Sequence, residues 1–352
     1  MNLPLSYFGI PNNIPLPERR DWRIGVIGLG GISYAHIPAY QDAGMNVVAG
    51  ADIDPARREE AQQKFGIPKL YADYRDLISD SDVEIISLVT QPTLREEVVA
   101  ACAAAGKPIQ TEKPFALDVA TCERMVAIAA AANLPLGVSQ NYRWHKNAFI
   151  ASGLIQGGWV GKPYLVSIEI YGTQDKDLAT HPYYNTCEDF LTIQWNTHLA
   201  DLVRGWMGRD PLRVSTRTSR MDGQAFRSDN LLVSLVDFGP GATGHILHSE
   251  LHRGGLSENC VRIEGDAGTL KFPLWGEGSI QLRSDRVGAE LVEVASGSDD
   301  YLSSFCGPMA DFLINIEQGT EPTVSGRRNL ATIRQVLAED QSTRNGGQWV
   351  SL

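Results

Sequence analysis

The sequence predicts a two-part α/β chain. A doubly wound parallel-sheet domain is expected over residues 22–145, followed by an α+β domain over 146–325 with a large open, mostly antiparallel sheet. Three observations predict this. Between Arg23 and Gln140 short apolar runs alternate with helical stretches, which is the signature of a parallel sheet covered on both faces. A glycine-rich turn follows the first apolar run. After Trp144 the alternation gives way to successive period-2 runs separated by Gly, Pro and Asp, the pattern of antiparallel strands. A length of 352 residues suits two domains.

Residues 1–21 hold four prolines and no period, and read as an extended arm lying on the body or on a neighbouring subunit. Arg23–Leu29 has the form of a buried strand. Ile32–Ala43 reads as a helix and Met45–Ile53 as the next strand. Asp54-Pro55 supplies an N-cap residue and a proline at the first helical position, so a helix over Pro55–Phe65 ends at Gly66. Val83–Thr90 is a third strand, Thr93–Ala105 a helix closed by Gly106, and Pro108–Thr111 a fourth strand. A helix at Val119–Ala132 and a fifth strand at Leu136–Gln140 complete the domain. Beyond it a helix is expected at Lys146–Gln156. Alternating runs then lie at Tyr164–Tyr171, Leu212–Thr218, Leu231–Phe238, Ala242–His248, Asn259–Gly265 and Ile280–Arg283. Phe190–Met207 is the one long helical stretch among them. The tail, residues 326–352, carries a helix at Arg328–Arg344 expected to pack back on the first domain.

Composition excludes several classes. The net charge is −11, and an acidic surface repels phosphate backbones and anionic lipid, so neither nucleic acid nor membrane is expected as a partner. Five widely spaced cysteines contain no CxxC pair, which points to free thiols in a reducing compartment rather than to disulfides or zinc. The N-terminus has no apolar signal segment, and the Ala-rich runs fall short of the roughly 20 residues that span a bilayer. A cytoplasmic location is expected. There is no HExxH or GxSxG motif and no phosphate-loop GK[ST]. His245, His248 and His252 lie on or beside a strand without a clear set of metal-binding partners, so no metal is expected.

The motif that carries chemistry is Gly28-x-Gly30-x-x-Ser33, placed after a strand and opening a helix. Gly28 permits the tight turn, and Gly30 lets the backbone approach a pyrophosphate. The helix beginning near Gly31 aims free N–H groups and its positive end at the phosphates. Serine replaces the usual glycine or alanine at the third position and is small enough to fit. Asp52 follows 19 residues after Ser33, at the end of the second strand, where an acid accepts the adenosine ribose hydroxyls. Asp52 repels a 2′-phosphate and Ile53 offers it no donor. NAD is therefore favoured, with Arg57 and Arg58 the residues that leave NADP open.

With Gly28–Ser33, Asp52 and Glu112-Lys113-Pro114, the chain resembles the glucose–fructose oxidoreductase / inositol dehydrogenase / MocA (Gfo/Idh/MocA) family. A second match lies in Phe190–Met207, where the family usually carries an acid, a histidine four residues later and an aspartate three after that. Here the three are Gln194, His198 and Asp201. The resemblance runs from Arg23 to the C-terminus. It implies a Rossmann domain followed by an α+β domain whose open sheet mediates oligomerisation, here a homodimer or homotetramer. It departs at Gln91-Pro92-Thr93, where relatives carry Thr-Pro-Asn near the nicotinamide-side ribose, and at Gln194, a neutral amide in the acidic position. The implied cofactor set is Gly28, Gly30, Gly31, Ile32, Ser33, Asp52, Ile53, Thr90, Gln91, Pro92, Glu112, Lys113 and Asn141.

The chemistry expected is oxidation of a secondary hydroxyl on a sugar, glycoside or cyclitol. The cofactor takes the hydride, so the protein supplies the base and the geometry. His198 is the candidate base, because imidazole exchanges protons near neutral pH. Four- and three-residue spacing on a helix sets Gln194 and Asp201 on its face. Lys113, at the carboxyl end of a parallel strand, is the candidate stabiliser of alkoxide character. Tyr142, Arg143 and Tyr184 complete the expected substrate contacts, and His181, Tyr183 and Trp195 offer further stacking faces. Two other functions remain open on the sequence: an NAD-dependent glycosidase using transient oxidation, and a non-enzymatic NAD(H) sensor.

Overall fold

The computed structural model describes every residue except 252–255, 289 and 296–300. The chain divides into two compact units. One comprises Asn13–Trp144 with Tyr301–Leu330, the other Met1–Asn12, His145–Asp300 and Ala331–Leu352. The first strand, β1 (Asn2–Leu3), belongs to the second of these.

The first unit alternates β2 (Arg23–Ile27), α1 (Ser33–Asp42), β3 (Asn46–Ala51), α2 (Pro55–Phe65), β4 (Lys69–Tyr71), α3 (Tyr74–Ser79), β5 (Ile85–Leu88), α4 (Arg95–Ala105), β6 (Ile109–Glu112), α5 (Val119–Ala131) and β7 (Leu136–Ser139). Its sheet has the order β4-β3-β2-β5-β6-β7, every pair parallel. The order reverses between β2 and β5, and ligands of such sheets bind at the carboxyl ends of the strands there. Ile24, Val26, Ile85, Ile86 and Leu88 are fully buried. Each such side chain contributes about 1.5–3 kcal/mol, which is why these strands read as apolar runs. Asp54 caps α2 by accepting the Ala56 N–H, and Gly66 closes it at φ 68°.

Three elements of this unit escaped the sequence reading, β4 and the six-residue α3 among them. β4 makes the sheet six-stranded instead of five; it is three residues long and only half-buried, so it carries no apolar run.

In the second unit α6 (Lys146–Gln156) precedes β8 (Pro163–Tyr171), α7 (Asp175–Thr180) and α8 (Asn196–Met207), followed by β9 (Arg213–Ser219), β10 (Leu231–Asp237), β11 (Thr243–Ser249), β12 (Glu258–Gly265), β13 (Gly268–Phe272), β14 (Ile280–Ser284) and β15 (Val292–Val294). Ten strands, ending with β16 (Val350–Ser351), form one sheet in the order β1-β15-β14-β13-β12-β8-β11-β10-β9-β16. Only β1–β15 and β8–β11 pair in parallel, so the sheet is mixed and mostly antiparallel. Residues 1–21 are thus not one arm: Asn2 and Leu3 pair with Glu293 and Val294 at a sheet edge. Alternation puts Leu232, Ser234 and Val236 inside and leaves Val233 and Leu235 exposed at 37% and 42%.

The third element missed in the parallel-sheet unit is α9 (Ser303–Gln318). It, rather than the tail helix, supplies the late packing on the parallel-sheet unit, where Phe305, Met309, Phe312 and Leu313 join the core. Gly307 and Pro308 interrupt its helical pattern in sequence. A Cβ on Gly307 would lie 2.0 Å from Trp144 Cγ, so the glycine is dictated by the indole beside it. The tail helix, α10 (Gly326–Arg344), corrects the expected placement. From Ala331 it belongs to the second unit, tied there by Thr332 to Asp201, Glu339 to Asn196 and Ser342 to Thr216. Its buried polar residues find their partners in that unit, which overrides a reading based on position in the chain.

Candidate active site

The carboxyl edge of the parallel sheet carries most of the residues singled out above. Gly28 leaves β2 at φ 96°, its N–H donating to Ala51 O at 2.8 Å. A Cβ there would stand 2.7 Å from Val89 O and 2.9 Å from Thr90 Cγ2, so the switch point itself requires glycine. Gly30 and Gly31 are different. A Cβ on Gly30 meets nothing nearer than Arg57 Nη1 at 3.4 Å, and one on Gly31 meets nothing within 4 Å. Packing within the protein does not require glycine there, and the missing side chains leave the backbone open to a ligand. The N–H groups of Gly30, Gly31 and Ile32 have no acceptor among the described residues, and they lead into the start of α1. Ser33 is fully buried, and its hydroxyl donates to Gly30 O at 2.6 Å, which braces the turn.

Asp52 is held rigidly. One carboxylate oxygen accepts the Leu29 N–H and the other the Asp54 N–H, both at 2.9 Å. Arg57 lies 3.8 Å from it, and Arg58 is turned to the Asp52 carbonyl. Ile53 beside it is 90% exposed. These features, an open N–H cradle and an anchored acid, fit a dinucleotide.

Glu112-Lys113-Pro114 leaves β6 through a cis Lys113–Pro114 peptide. Glu112 is buried; its Oε2 accepts the Lys113 N–H at 2.9 Å, and its Oε1 lies 2.7 Å from His36 Nε2. Burial pushes the Glu112 carboxyl up, but the hydrogen bond from His36 and the charges of Lys113 and Arg95 outweigh it and hold the acid ionised below its ordinary range. Burial pulls the Lys113 ammonium below the usual lysine range; Glu112 opposes this and Arg95 adds to it. Arg95, which the sequence reading missed, is 2% exposed and donates to the carbonyls of Glu112, Pro114 and Thr90. It ties the ends of β5 and β6 together. Its sequence signal was slight, an arginine at the start of a helix, where positive charge is not favoured by the dipole.

Gln91 is exposed and Pro92 buried in a short 3₁₀ turn entering α4. Asn141, buried after β7, donates to Ser304 Oγ at 3.0 Å. Tyr142 and Arg143 are half-buried in the same turn.

The remaining candidates belong to the other unit. The single helix expected over Phe190–Met207 is two elements: Phe190–Trp195 is a π-helix, and only then does α8 begin. Gln194 sits in the wider π segment and His198 in the α segment, so simple four-residue facing does not describe them. Such π segments recur at functional sites. His198 is buried at 4%. Asp201 is 1% exposed and accepts from Thr332 at 3.0 Å, a contact that holds α8 to α10, while Arg204, three residues further along α8, lies 3.5 Å from it. Tyr184 stacks on His181 with ring centroids 3.8 Å apart and packs beside Phe190. Trp195 meets His248 edge-on, and His248 pairs with the buried Glu250 at 2.8 Å. His245 bonds Ser167. His252 lies outside the described residues. Among the described residues no group of His, Cys, Asp and Glu could hold a metal, and no helix is long and apolar enough to cross a membrane.

The fold and the cradle define an oxidoreductase with an NAD-binding Rossmann domain, and comparison with known proteins agrees. Residues 22–140 match the family model described as oxidoreductase family, NAD-binding Rossmann fold, and residues 151–271 match the GFO/IDH/MocA C-terminal domain. The chain belongs to the Gfo/Idh/MocA family. It is 28% identical over 333 residues to D-apiose dehydrogenase of Paraburkholderia graminis, covering 91% of this chain and 87% of that one. It is 27% identical over 312 residues to myo-inositol 2-dehydrogenase of Thermotoga maritima, covering 86% and 91%. A crystal structure of an oxidoreductase from Agrobacterium radiobacter in complex with NAD+, L-tartaric acid and magnesium shares the fold at a TM-score of 0.85 and 23% identity, covering 94% of this chain and 98% of that one.

Proposed function

We propose that this protein oxidises a secondary hydroxyl of a sugar, glycoside or cyclitol with NAD+, and that Lys113 and His198 act at the reacting oxygen. The observation that carries this reading is Lys113 itself. Its N–H is held by the Glu112 carboxylate and its flanking carbonyls by Arg95, at the carboxyl edge of the sheet that carries the dinucleotide cradle. A lysine fixed in this way serves chemistry better than solvation. The relatives named as apiose and inositol dehydrogenases supply the substrate class.

In this mechanism Gly30, Gly31 and Ile32 receive the pyrophosphate, and Asp52 receives the adenosine ribose hydroxyls and disfavours a 2′-phosphate. Bound nicotinamide supplies the hydride acceptor. Lys113 donates to the substrate oxygen as negative charge develops on it, and His198 takes the hydroxyl proton. Gln194, Tyr142, Arg143 and Tyr184 bond or stack on the polyol; Asp201, expected from the sequence to contact substrate, is instead given the role of positioning α8 through Thr332, because its buried carboxylate is taken up there. The uncovered face of the ten-stranded sheet, with Val233 and Leu235 exposed, makes a homodimer or homotetramer part of the same proposal, as is a cytoplasmic location.

The test is NADH formation against a panel of aldoses including apiose, inositols and glycosides. Lys113→Ala should lower kcat by roughly 10²–10³, and His198→Ala by roughly 10²–10⁴, with NAD+ affinity little changed in the latter. Near-full activity of His198→Ala places the base elsewhere. Glycoside turnover without net NADH assigns the transient-oxidation glycosidase, and NAD+ binding without any turnover assigns a sensor.

A further inference from the structure

Three residues the sequence reading passed over form an unbroken buried chain behind Lys113. Ser87 Oγ on β5 lies 3.1 Å from Tyr40 Oη, Tyr40 Oη lies 2.8 Å from His36 Nδ1, and His36 Nε2 lies 2.7 Å from Glu112 Oε1. The exposures of Ser87, Tyr40, His36 and Glu112 are 2%, 0%, 1% and 5%. One assignment of hydrogens satisfies every group: Ser87 donates to Tyr40, Tyr40 to Nδ1, and Nε2–H to the carboxylate. The chain ends where Glu112 turns its second oxygen to the Lys113 N–H. His36 and Tyr40 both ride on α1, the helix that opens from the phosphate cradle.

We propose that His36 is a positioning residue for the reaction: through Glu112 it fixes the backbone of Lys113 and keeps a negative charge beside its ammonium. The reasoning is electrostatic. A buried carboxylate stays ionised only when its lone pairs are taken up by donors. Lys113 N–H takes one oxygen, and His36 alone takes the other by hydrogen bond among the described residues. Without His36 the acid protonates, the counter-charge to Lys113 is lost, and burial together with Arg95 drives the ammonium toward its neutral form, in which it is a poorer donor to a developing alkoxide. The titratable groups facing this set are Glu112 and Lys113 at the end of β6, Arg95 from α4, Tyr40 on α1, and Cys306 from α9, whose neighbour Phe305 packs on the His36 ring at 4.9 Å. Arg95 adds positive charge, and Cys306 is held as the thiol with its pKa pushed up to about 11, so Glu112 is the anion that counts.

The proposal rests on Lys113 acting at the substrate oxygen, and two readouts separate the two ideas. The first is the pH profile of kcat in wild type, His36→Ala, His36→Gln and Tyr40→Phe. His36→Ala should lose about 10- to 100-fold in kcat, and its alkaline limb should move down by about one pH unit, with NAD+ affinity little changed. His36→Gln keeps a donor for Glu112 and an acceptor for Tyr40, so it should recover most of both. The second readout needs no turnover: NMR titration of ¹³C-dimethylated lysines in the full-length protein, with Lys113 assigned by Lys113→Arg. The Lys113 resonance should titrate lower in His36→Ala than in wild type and return in His36→Gln. Identical titration of Lys113 in folded wild type and His36→Ala overturns the proposal. A shifted titration with no polyol turnover in wild type removes the dehydrogenase reading and keeps the control of Lys113 by His36. If His36→Ala does not fold, Glu112→Gln carries the test, because it removes the counter-charge directly: Lys113 should titrate lower there than in wild type, and an unchanged Lys113 titration and kcat limb overturns the proposal.

Discussion

Glu339 makes folding stability depend on pH in a direction opposite to most carboxylates. It is fully buried on α10, where Ser234 Oγ at 2.9 Å, Gln335 Nε2 at 3.1 Å and Asn196 Nδ2 donate to it. Burial outweighs these three bonds and pushes its carboxyl up to about 7 from 4.5. The folded state therefore holds the proton more tightly than the unfolded chain. The stabilisation is complete below about pH 4.5 and is lost as pH rises through about 7. A shift of about 2.5 units at about 1.4 kcal/mol each sets a limit of roughly 3.4 kcal/mol, of which about 2.5 kcal/mol falls between about pH 5 and about pH 8. Glu339→Gln removes the titration. Asn196 Oδ1 has no hydrogen-bond partner among the described residues, so a turned Asn196 amide accepts from the new NH₂, and the glutamine oxygen keeps the Ser234 bond. Urea unfolding followed by tryptophan fluorescence at both pH values gives the comparison. The stability of wild type minus that of the variant should fall by about 2.5 kcal/mol from the lower to the higher pH, other groups cancelling in the difference. Parallel dependences in the two proteins would refute the reasoning and place the negative charge of Glu339 in contact with solvent or a cation.

NAD should bind at least about tenfold more tightly than NADP, roughly 1.4 kcal/mol, and Asp52→Ala should narrow the gap by raising NADP affinity; calorimetric titration showing equal binding by wild type removes the role given to Asp52. Gly28→Ala forces a left-handed residue against Val89 O and should cost at least about 1–3 kcal/mol in thermal stability and abolish tight NAD+ binding. Leu235→Asp on the uncovered sheet face should convert the protein to monomer by light scattering, while a wild-type monomer at micromolar concentration dismisses the oligomer.

The sequence by itself determined what is local. Buried parallel strands must be apolar, so Ile24–Ile27 and Ile85–Leu88 announced themselves. A helix start needs a cap and a helix end a left-handed residue, so Asp54, Pro55, Gly66 and Gly106 marked their positions. The cradle was legible because a tight turn that meets a phosphate constrains only six consecutive residues and an acid at the next strand's end. Other features were decided by tertiary structure alone. Glu112 and His36 meet across 76 positions, and Asn196 and Glu339 across 143. Helical or strand periodicity says which side of an element is buried, not which distant polar group it will meet there. The same holds for Arg95, whose burial is made tolerable by carbonyls from two strand ends that converge on it. It holds for α9, which keeps Gly307 because Trp144 occupies the space of a side chain and keeps Pro308 within a helix whose apolar residues complete a core. The π-helix before α8 is of the same kind: an extra residue per turn leaves no mark on an apolar pattern six residues long, yet it changes which side chains share a face with His198.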